Sequence, residues 1–320
     1  MSNQKLPPSR NTQHSVLLDG LLKTWSIGIY VGDSQFHFRP APGIENPVLT
    51  QSEVSDIPAS FVADPFMVRS GDAWYMFFEA KNALTRKGEI GLSVSKNGFD
   101  WSYHQIVLAE PFHLSYPYVF ECEGEYYMIP ETLEPKQIRL YKAGCFPFEW
   151  IHLADLIPGA FADPSISWFA GKWWIFACSS PFEHDVLRLF FADKLTGPWL
   201  EHPKSPIVEG NPHIARPAGR VVAFNGRLIR YTQDCYPKYG TQVRAFEISE
   251  LTPTSYHEQA FGTPVLVPGE SDWNRQGMHH IDAHLNSDGK WIACVDGNFR
   301  AEQSIGKSVD PNPQETISRV

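Results

Sequence analysis

Five short phrases of this chain share one apolar frame but carry a different polar residue at one position. The phrases are centred on Asp64, Tyr116, Asp163, Arg216 and Asp282, and the first four have a proline directly after that residue. Carboxylates, a phenol and a guanidinium that are brought together can exchange protons and bind polar ligands. The variable position therefore predicts a functional site, provided that the fold gathers the five copies in one place.

The spacing of the phrases predicts a repeat architecture that would gather them. They recur at intervals of 52, 47, 53 and 66 residues, which suits β-propeller blades and is too long for ankyrin or leucine-rich repeats. Each phrase opens a first strand, and a glycine-bearing turn leads to an aromatic second strand such as residues 74–78 or 173–176. A propeller brings equivalent positions of all its blades around one axis.

The chain ends predict how the ring closes. A third strand and a later aromatic residue follow in four repeats, but the fifth repeat lacks them. Residues 27–30 followed by Phe38 match residues 90–93 followed by Trp101, so the missing strands lie at the N-terminus. We therefore predict an all-β, five-bladed β-propeller over residues 23–300, in which the N-terminal strands complete the last blade.

Composition narrows the classes of protein and of partner. The chain has 27 Lys and Arg against 36 Asp and Glu and no basic run, so we expect no nucleic-acid partner. No apolar stretch reaches the roughly 18–20 residues that cross a bilayer, and the N-terminus lacks an apolar leader, so we expect a cytoplasmic protein. The five scattered cysteines favour reduced thiols. Residues 1–22 and 301–320 are polar, which predicts a flexible N-terminal segment and a flexible C-terminal tail.

The hairpin turns predict which polar side chains face each other. Residues equidistant from a turn are cross-strand neighbours, so five polar pairs would lie at one rim of the ring. The predicted pairs are Asp64 with Glu79, Tyr116 with Glu131, Asp163 with Ser179, Arg216 with Asp234, and Asp282 with Asp296. Burial and mutual repulsion raise the pKa of some crowded carboxyls, and a nearby cation lowers the pKa of others. Such divergent pKa values are what acid–base chemistry at neutral pH requires.

The repeated phrases also resemble those of known families. The Asp-Pro phrases of the first and third repeats resemble the five-bladed propeller glycosidases, the arabinanase/β-xylosidase and invertase/levansucrase families. A closer resemblance, over about residues 22–298, is to the N-terminal domain of glucosamine inositolphosphorylceramide transferases and its free-standing bacterial relatives. It depends on four segments, residues 25–30, 61–67, 130–132 and 279–282.

The resemblance to the glycosidases implies roles for individual residues. Asp64 would act as general base or nucleophile, and Asp163 would orient the substrate. Those enzymes carry a general-acid Glu where this chain has Arg216, which cannot give up a proton near neutral pH. Glu131 and Glu79 are the two candidate proton donors in its place. The planar fork of Arg216 would suit an anionic substrate.

Further polar residues of the predicted rim are expected to bind the substrate or to serve the fold. The substrate-binding set is Tyr116, Arg216, Asp234, His280, Asp282 and Asp296. His280, Asp282 and His284 alternate along one strand, so their side chains would share a face and could ligate a metal. A structural or substrate-contacting role is commoner for histidine, so we predict no metal and no cofactor.

Three functions stay open from the residues alone. The first is a carbohydrate-active enzyme that hydrolyses or transfers a glycosyl group of a small-molecule or glycan substrate. The second is a non-catalytic module that binds a glycan or an anionic metabolite, in functional association with a glycosyltransferase. The third is a biosynthetic enzyme for base-catalysed cyclisation or elimination, which would need no acid at the position of Arg216.

Overall fold

Five antiparallel sheets form the blades of a propeller in the computed structural model, which describes residues 23–300. Within these residues the only helical element is the short 3₁₀ turn Gln51–Glu53, and no helix has the length and apolar character that crossing a bilayer requires. The prediction of an all-β, five-bladed propeller is confirmed. The predicted flexible segments 1–22 and 301–320 lie outside the described residues.

The blades are built from 21 strands, which we number in chain order. The strands are β1 (Lys23–Ser34), β2 (His37–Pro40), β3 (Ala59–Ser70), β4 (Ala73–Asn82), β5 (Gly88–Ser95), β6 (Ser102–Leu108), β7 (Ser115–Cys122), β8 (Glu125–Glu131), β9 (Gln137–Cys145), β10 (Glu149–Pro158), β11 (Ala162–Phe169), β12 (Lys172–Cys178), β13 (Leu187–Ala192), β14 (Leu200–Glu201), β15 (Arg216–Pro217), β16 (Val222–Phe224), β17 (Arg227–Asp234), β18 (Gln242–Leu251), β19 (Tyr256–Ala260), β20 (Ile281–Leu285) and β21 (Trp291–Arg300). Blade 1 comprises β3–β6, blade 2 β7–β10, blade 3 β11–β14 and blade 4 β15–β19.

Blade 5 joins the two ends of the described chain. Its strand order is β2-β1-β21-β20, so the N-terminal strand β1 pairs with the last strand β21. Ile27 and Ile29 of β1 pack in one apolar cluster with Ile292 and Cys294 of β21. Burial of this apolar surface stabilises the closed ring. The prediction that N-terminal strands complete the last blade is confirmed.

Aromatic residues of first, second and outer strands pack one blade on the next. Phe77 of β4 is fully buried and meets the ring of Trp150 in blade 2 edge to face, with centroids 5.3 Å apart. Phe66 of β3 lies 4.9 Å from the ring of Tyr118. These contacts leave the polar residues at the ends of the strands free to line the axis of the ring.

The residue before the proline lies in a β-bulge in the first three blades. Asp64, Tyr116 and Asp163 have φ angles of 52°, 48° and 51°, in the left-handed region that residues other than glycine seldom occupy. Each lies where the register of its hairpin shifts. A bulged residue leaves the ladder, and its side chain is re-aimed. Here three equivalent polar side chains are turned out of their sheets.

The bulges make three of the predicted cross-strand pairs wrong. Ala63 pairs with Glu79 where Asp64 was predicted, and Ser115 pairs with Glu131 where Tyr116 was predicted. Ala162 pairs with Cys178, so the predicted pair of Asp163 and Ser179 is also wrong. Equal counting from a turn assumes a regular ladder, and the extra residue breaks that assumption.

The two remaining predicted pairs are wrong for other reasons. Arg216 pairs with Gln233 instead of Asp234, because residues 218–221 interrupt the first strand between β15 and β16. Asp282 pairs with Cys294 instead of Asp296, because the hairpin turn is centred one residue earlier than the predicted Gly289. The polar positions therefore do not face each other in the sheets, and their meeting depends on contacts between blades.

Candidate active site in the central pocket

A pocket of about 190 Å³ opens near the axis, where second strands end and first strands begin. Four blades line it with the residues Trp25, Phe61, Ala63, Asp64, Glu79, Lys81, His113, Ser115, Glu131, Arg216, Tyr239 and His279. We call this the central pocket. It is smaller than the roughly 300–1,000 Å³ of sites for drug-sized ligands, so it suits a group the size of one sugar residue.

Arg216 of blade 4 clamps two carboxyl groups from neighbouring blades. Its Nε donates to Oδ2 of Asp163 at 2.6 Å, and one terminal nitrogen donates to Oε2 of Glu131 at 3.3 Å. The other terminal nitrogen donates to the Pro181 carbonyl at 3.0 Å and lies 3.0 Å from Nδ1 of His184. Every guanidinium nitrogen thus has a partner inside the protein, so an anionic ligand would have to displace one of them.

Asp163 and Glu131 are also held by uncharged groups. The side-chain amide of Gln233 donates to Oδ2 of Asp163 at 2.6 Å, and the Asp163 backbone N–H donates to Oε2 of Glu131 at 3.2 Å. The guanidinium of Arg216 lies 5.1 Å above the centre of the Tyr239 ring, which adds a cation–π contact. This half of the pocket is a saturated network of charge-assisted hydrogen bonds.

Asp64 and Glu79 form the other half of the pocket, and among the described residues neither has a Lys or Arg within 4.0 Å. Oδ1 of Asp64 lies 3.6 Å from Nε2 of His279. Oε1 of Glu79 is buried, lies 3.6 Å from Nε2 of His113, and accepts no hydrogen bond from the described residues. Gly88 makes room for this carboxyl, since a Cβ there would lie 2.7 Å from Oε1.

The surroundings raise the pKa of three pocket carboxyls. Burial raises the pKa of Glu79 to about 8, with neighbouring carboxylates adding to the effect and Lys81 opposing it. Burial and the charge of Asp163 raise the pKa of Glu131 to about 8, against the effect of Arg216. Burial also raises the pKa of Asp64 well above its ordinary value, and His279 opposes that rise. The carboxyls of Glu79 and Glu131 therefore hold protons near neutral pH.

A histidine–aspartate pair from blade 5 lies against Asp64. Nδ1 of His279 lies 2.7 Å from Oδ1 of Asp296, and the imidazole stacks on Trp25 with centroids 3.9 Å apart. Although burial disfavours an imidazolium, Asp296 raises the pKa of His279 above its ordinary value. In turn, His279 lowers the pKa of Asp296 despite the burial of that carboxyl.

Among the described residues, Asp64, His279 and Asp296 form the group whose geometry comes closest to that of a metal site. Ligand atoms of Asp64, His279 and Asp296 all lie within 4.8 Å of one another. The 2.7 Å contact between His279 and Asp296 is a hydrogen bond that uses the ring N–H, so we assign an ion pair. The predicted group differs, since Asp282 and His284 lie 2.8 Å apart but His280 contacts Asp64 instead.

Tyr116 and Asp234, predicted to bind substrate, do not line the central pocket. Tyr116 is fully buried, and its hydroxyl lies 2.7 Å from the hydroxyl of Ser165 and within 3.0 Å of the Gly219 carbonyl. Asp234 accepts hydrogen bonds from Gln242 and from Arg244 at 2.8–3.1 Å, away from the axis. Both side chains are committed to contacts within the fold.

Three other predicted binding residues are fully buried and do not line the pocket. His280 is fully buried between Phe66 and Tyr116, with its Nδ1 3.9 Å from Oδ1 of Asp64. Asp296 reaches Asp64 through the Asp64 backbone N–H, at 3.1 Å. Asp282 is fully buried, does not line the pocket and pairs with Arg220 at 2.6 Å.

Eight pocket residues lie outside the predicted site. They are Trp25, Phe61, Ala63, Lys81, His113, Ser115, Tyr239 and His279. Trp25 and His279 belong to segments that the sequence comparison singles out, so a motif signal for them exists. Lys81, His113 and Tyr239 lie at strand ends and in loops of unequal length, where the repeat period carries no information.

Comparison with known proteins identifies similar chains. Residues 21–298 match the family described as glucosamine inositolphosphorylceramide transferase 1, N-terminal. The transferase of that name from Oryza sativa subsp. japonica is 37% identical over 321 residues, covering 93% of this chain and 43% of the relative. The Arabidopsis thaliana protein is 34% identical over 297 residues, covering 86% of this chain and 39% of the relative. The chain thus spans less than half the length of these relatives.

Similar solved structures include proteins described as glycoside hydrolases. The α-L-arabinanase of Cellvibrio cellulosa superposes with a TM-score of 0.53 at 18% identity, covering 73% of this chain and 86% of that enzyme. Identity this low shows a common fold alone. The resemblance to propeller glycosidases and to the transferase N-terminal domain, which the sequence suggested, is confirmed at the level of family and fold.

Proposed function

Because the chain belongs to the family of the N-terminal domain of glucosamine inositolphosphorylceramide transferase 1, we propose that it is a carbohydrate-active enzyme that hydrolyses or transfers a glycosyl group in the central pocket. The observation that carries the proposal is the division between the carboxyls of the pocket and that of Asp163, which does not line the pocket but is bonded to Arg216. Arg216 holds Asp163 and Glu131, whereas Asp64 and Glu79 have no Lys or Arg partner within 4.0 Å among the described residues. Two free carboxyls in one pocket are the minimum that glycosyl chemistry needs.

The geometry favours one assignment of catalytic roles to these carboxyls. Glu79 is the proton donor, because its buried carboxyl has a pKa of about 8 and so holds a proton at neutral pH. Asp64 is the base or nucleophile, and Asp163, fixed by Arg216, orients the substrate. Glu131 is the weaker candidate for proton donor, because its Oε2 already accepts hydrogen bonds from Arg216 and from the Asp163 backbone.

The proposed reaction balances with these two groups. Protonated Glu79 gives its proton to the oxygen of the leaving group as the glycosidic bond breaks. The carboxylate of Asp64 either bonds to the anomeric carbon or takes the proton of the attacking water or acceptor hydroxyl. The nearby carboxylates stabilise the positive charge that develops on the sugar ring in the transition state.

The substrate class follows from the relatives' names and from the lining of the pocket. Those names refer to an inositolphosphorylceramide, so we propose a glycosylated inositol phosphoryl group, which is anionic. The fork of Arg216 is occupied, and Lys81 is the lining cation without a carboxylate partner among the described residues. We also propose a cytoplasmic location, which the five free thiols support, and a functional association with a glycosyltransferase.

A binding module is the second candidate, and the Arg216 clamp is the observation that favours it. Arg216, in the position where the glycosidases carry an acid, pairs with the carboxyls of Glu131 and Asp163. A domain that had lost its acid could still recognise a glycan. The more distant alternative, base-catalysed cyclisation or elimination, would use Asp64 alone.

Turnover of a panel of glycosides, including glycosyl inositol phosphates, tests the proposal. The native protein and Asp64→Asn are compared, with unfolding measured for both. We expect the variant to stay folded and to lose at least about 10³-fold in kcat. Undiminished turnover by Asp64→Asn would overturn the mechanism. Tight binding of the same compounds without any turnover by the native protein would establish the binding module instead.

A further inference from the structure

The closure of the ring brings Asp296, His279 and Trp25 together beside Asp64. Asp296 of β21 accepts the backbone N–H of His279 at 3.2 Å, its ring Nδ1–H at 2.7 Å, and the backbone N–H of Asp64 at 3.1 Å. One carboxylate therefore fixes both the imidazole and the strand that carries Asp64. The ring of Trp25 of β1 stacks on the imidazole of His279, with an angle of 21° between the two ring planes.

The geometry argues against a role for His279 as the proton donor. Its Nε2 lies 3.6 Å from Oδ1 of Asp64. A glycosidase acid and its partner carboxyl are separated by roughly 5–9.5 Å, because the scissile bond lies between them. A group this close to Asp64 influences the charge and the orientation of the Asp64 carboxyl itself.

We propose that His279, held by Asp296 and Trp25, is a positioning residue that favours the ionised form of Asp64 and fixes the direction of its carboxyl inside the buried pocket. The inference rests on the proposed function, in which Asp64 reacts as a carboxylate. The proposal also gives the N-terminal closure a functional role, since Trp25 and Asp296 belong to the two strands that join the ends of the described chain.

The groups around Asp64 show why a counter-charge is needed there. Glu79 of β4, Asp163 of β11 and Asp296 of β21 all disfavour its ionisation. His280 is buried and has a pKa lowered to about 4, so it is neutral at pH 7. Trp25 and the phenol of Tyr239, which lie against the imidazole, carry no charge at that pH.

Among the described residues within 4.0 Å of Asp64, His279 is thus the one whose positive charge a carboxylate, Asp296, favours. Nε2 is left directed at Asp64 once Nδ1 is bonded to Asp296. Burial alone would favour neutral forms of both Asp64 and His279. An aspartate behind the imidazole reverses that preference for His279, as it does in catalytic triads.

The test measures the titration of the Asp64 carboxyl directly and needs no substrate. Carboxyl ¹³C resonances are followed against pH in the native protein and in His279→Gln, with Asp64→Asn used for assignment. We expect the acid dissociation constant of Asp64 to fall about tenfold or more in His279→Gln, because the imidazolium is lost. His279→Lys, which keeps a cation, should restore most of the native value.

His113→Gln is the matched control. His113 lines the same pocket but is neutral at pH 7, because burial and Lys81 lower its pKa to about 4. Its replacement should leave the titration of Asp64 unchanged. Thermal unfolding confirms that each titrated variant is folded, and His279→Lys provides the comparison if His279→Gln is not.

The outcomes separate this inference from the proposed function. An unchanged Asp64 titration in folded His279→Gln overturns the inference, whatever the protein catalyses. A shifted titration supports it, and the acidic limb of kcat/KM should then move to higher pH by the same amount. If the Asp64 titration shifts but the acidic limb of kcat/KM does not, the interaction between His279 and Asp64 is supported and Asp64 is not the reacting base.

Discussion

Asp64 and Asp282 occupy the same position of the repeated sequence phrase in blades 1 and 5, yet Asp64 lies in a bulge, Asp282 pairs in a regular ladder, and their surroundings are opposite. Asp282 pairs with Arg220 at 2.6 Å and with His284 at 2.8 Å, and it accepts the Met67 backbone N–H at 2.6 Å. Burial opposes ionisation there, but Arg220 and His284 hold the pKa of Asp282 well below its usual range. Asp64 has no Arg or Lys within 4.0 Å among the described residues, and its pKa is raised.

The contrast shows that the residue type of the repeated position does not decide its role. A carboxylate whose hydrogen-bonding capacity is filled by a guanidinium contributes to the fold, and removing it leaves a buried charge unpaired. A buried carboxyl without such a partner costs stability and is retained where chemistry needs it. The same division separates Asp163 and Glu131, which Arg216 holds, from Glu79.

The largest effect is expected on turnover when Glu79 is replaced. Glu79→Gln removes the proposed donor, so kcat for a glycoside with a poor leaving group should fall about 10²–10⁴-fold. The unfolding free energy should not decrease, because the replaced carboxyl oxygen has no hydrogen-bond partner among the described residues. Steady-state kinetics and urea unfolding on the same preparations check both parts. Full activity with a poor leaving group would remove Glu79 from the mechanism.

The next effect is expected on stability when Asp282 is replaced. Asp282→Asn leaves Arg220 buried without its counter-charge, which should cost about 3–5 kcal/mol of unfolding free energy. Equilibrium urea denaturation measures this loss. Asp155→Asn, at a half-exposed ion pair with Arg139, is the matched control and should cost less than about 1 kcal/mol. Equal losses at the two sites would contradict the contrast drawn here.

The pH dependence of turnover sharpens the role of Glu79. The donor must be protonated, and the pKa of Glu79 is about 8, so kcat/KM should fall about tenfold per pH unit above that value. A pH–rate profile from pH 5 to 10 measures this limb. An alkaline limb that persists unchanged in the residual activity of Glu79→Gln would assign it to another group.

The smallest effect is expected on the pH dependence of stability. The pKa of Glu79 and of Glu131 is about 8 in the fold, against about 4.3 in the unfolded chain, so the fold binds their protons more tightly. The contribution of these two protonated carboxyls to the unfolding free energy is complete below about pH 4.3 and is lost as the pH rises towards 8. From pH 5 to 8, native unfolding free energy should therefore decline more than that of Glu79→Gln, by about 1–3 kcal/mol. Parallel curves would show that Glu79 ionises freely in the fold.

The repeat period was sufficient to predict the blades and the closure of the ring, because both depend on the regular order of strands. It also predicted that residues such as Asp64, Glu79 and Arg216 lie near one end of the axis, where the structure places them in one pocket. The predicted cross-strand partners failed, since a left-handed residue before proline leaves no trace in the hydrophobic pattern.

The partners of each charged group were beyond sequence reasoning for a different reason. Arg216 meets Asp163 and Glu131 from other blades, and Asp64 meets Asp296 across the ring closure. These contacts depend on how blades pack on each other, which strand periodicity does not describe. The fork of Arg216, expected to receive an anionic ligand, is filled by such contacts between blades.

The most direct test compares Asp64→Asn with Asp282→Asn in one experiment that records both turnover and unfolding free energy. We expect Asp64→Asn to keep or exceed native stability and to lose at least about 10³-fold in kcat. Asp282→Asn should lose about 3–5 kcal/mol of unfolding free energy. Retained turnover in Asp64→Asn, or equal loss of stability in the two variants, would contradict the distinction between a reactive and a structural carboxylate.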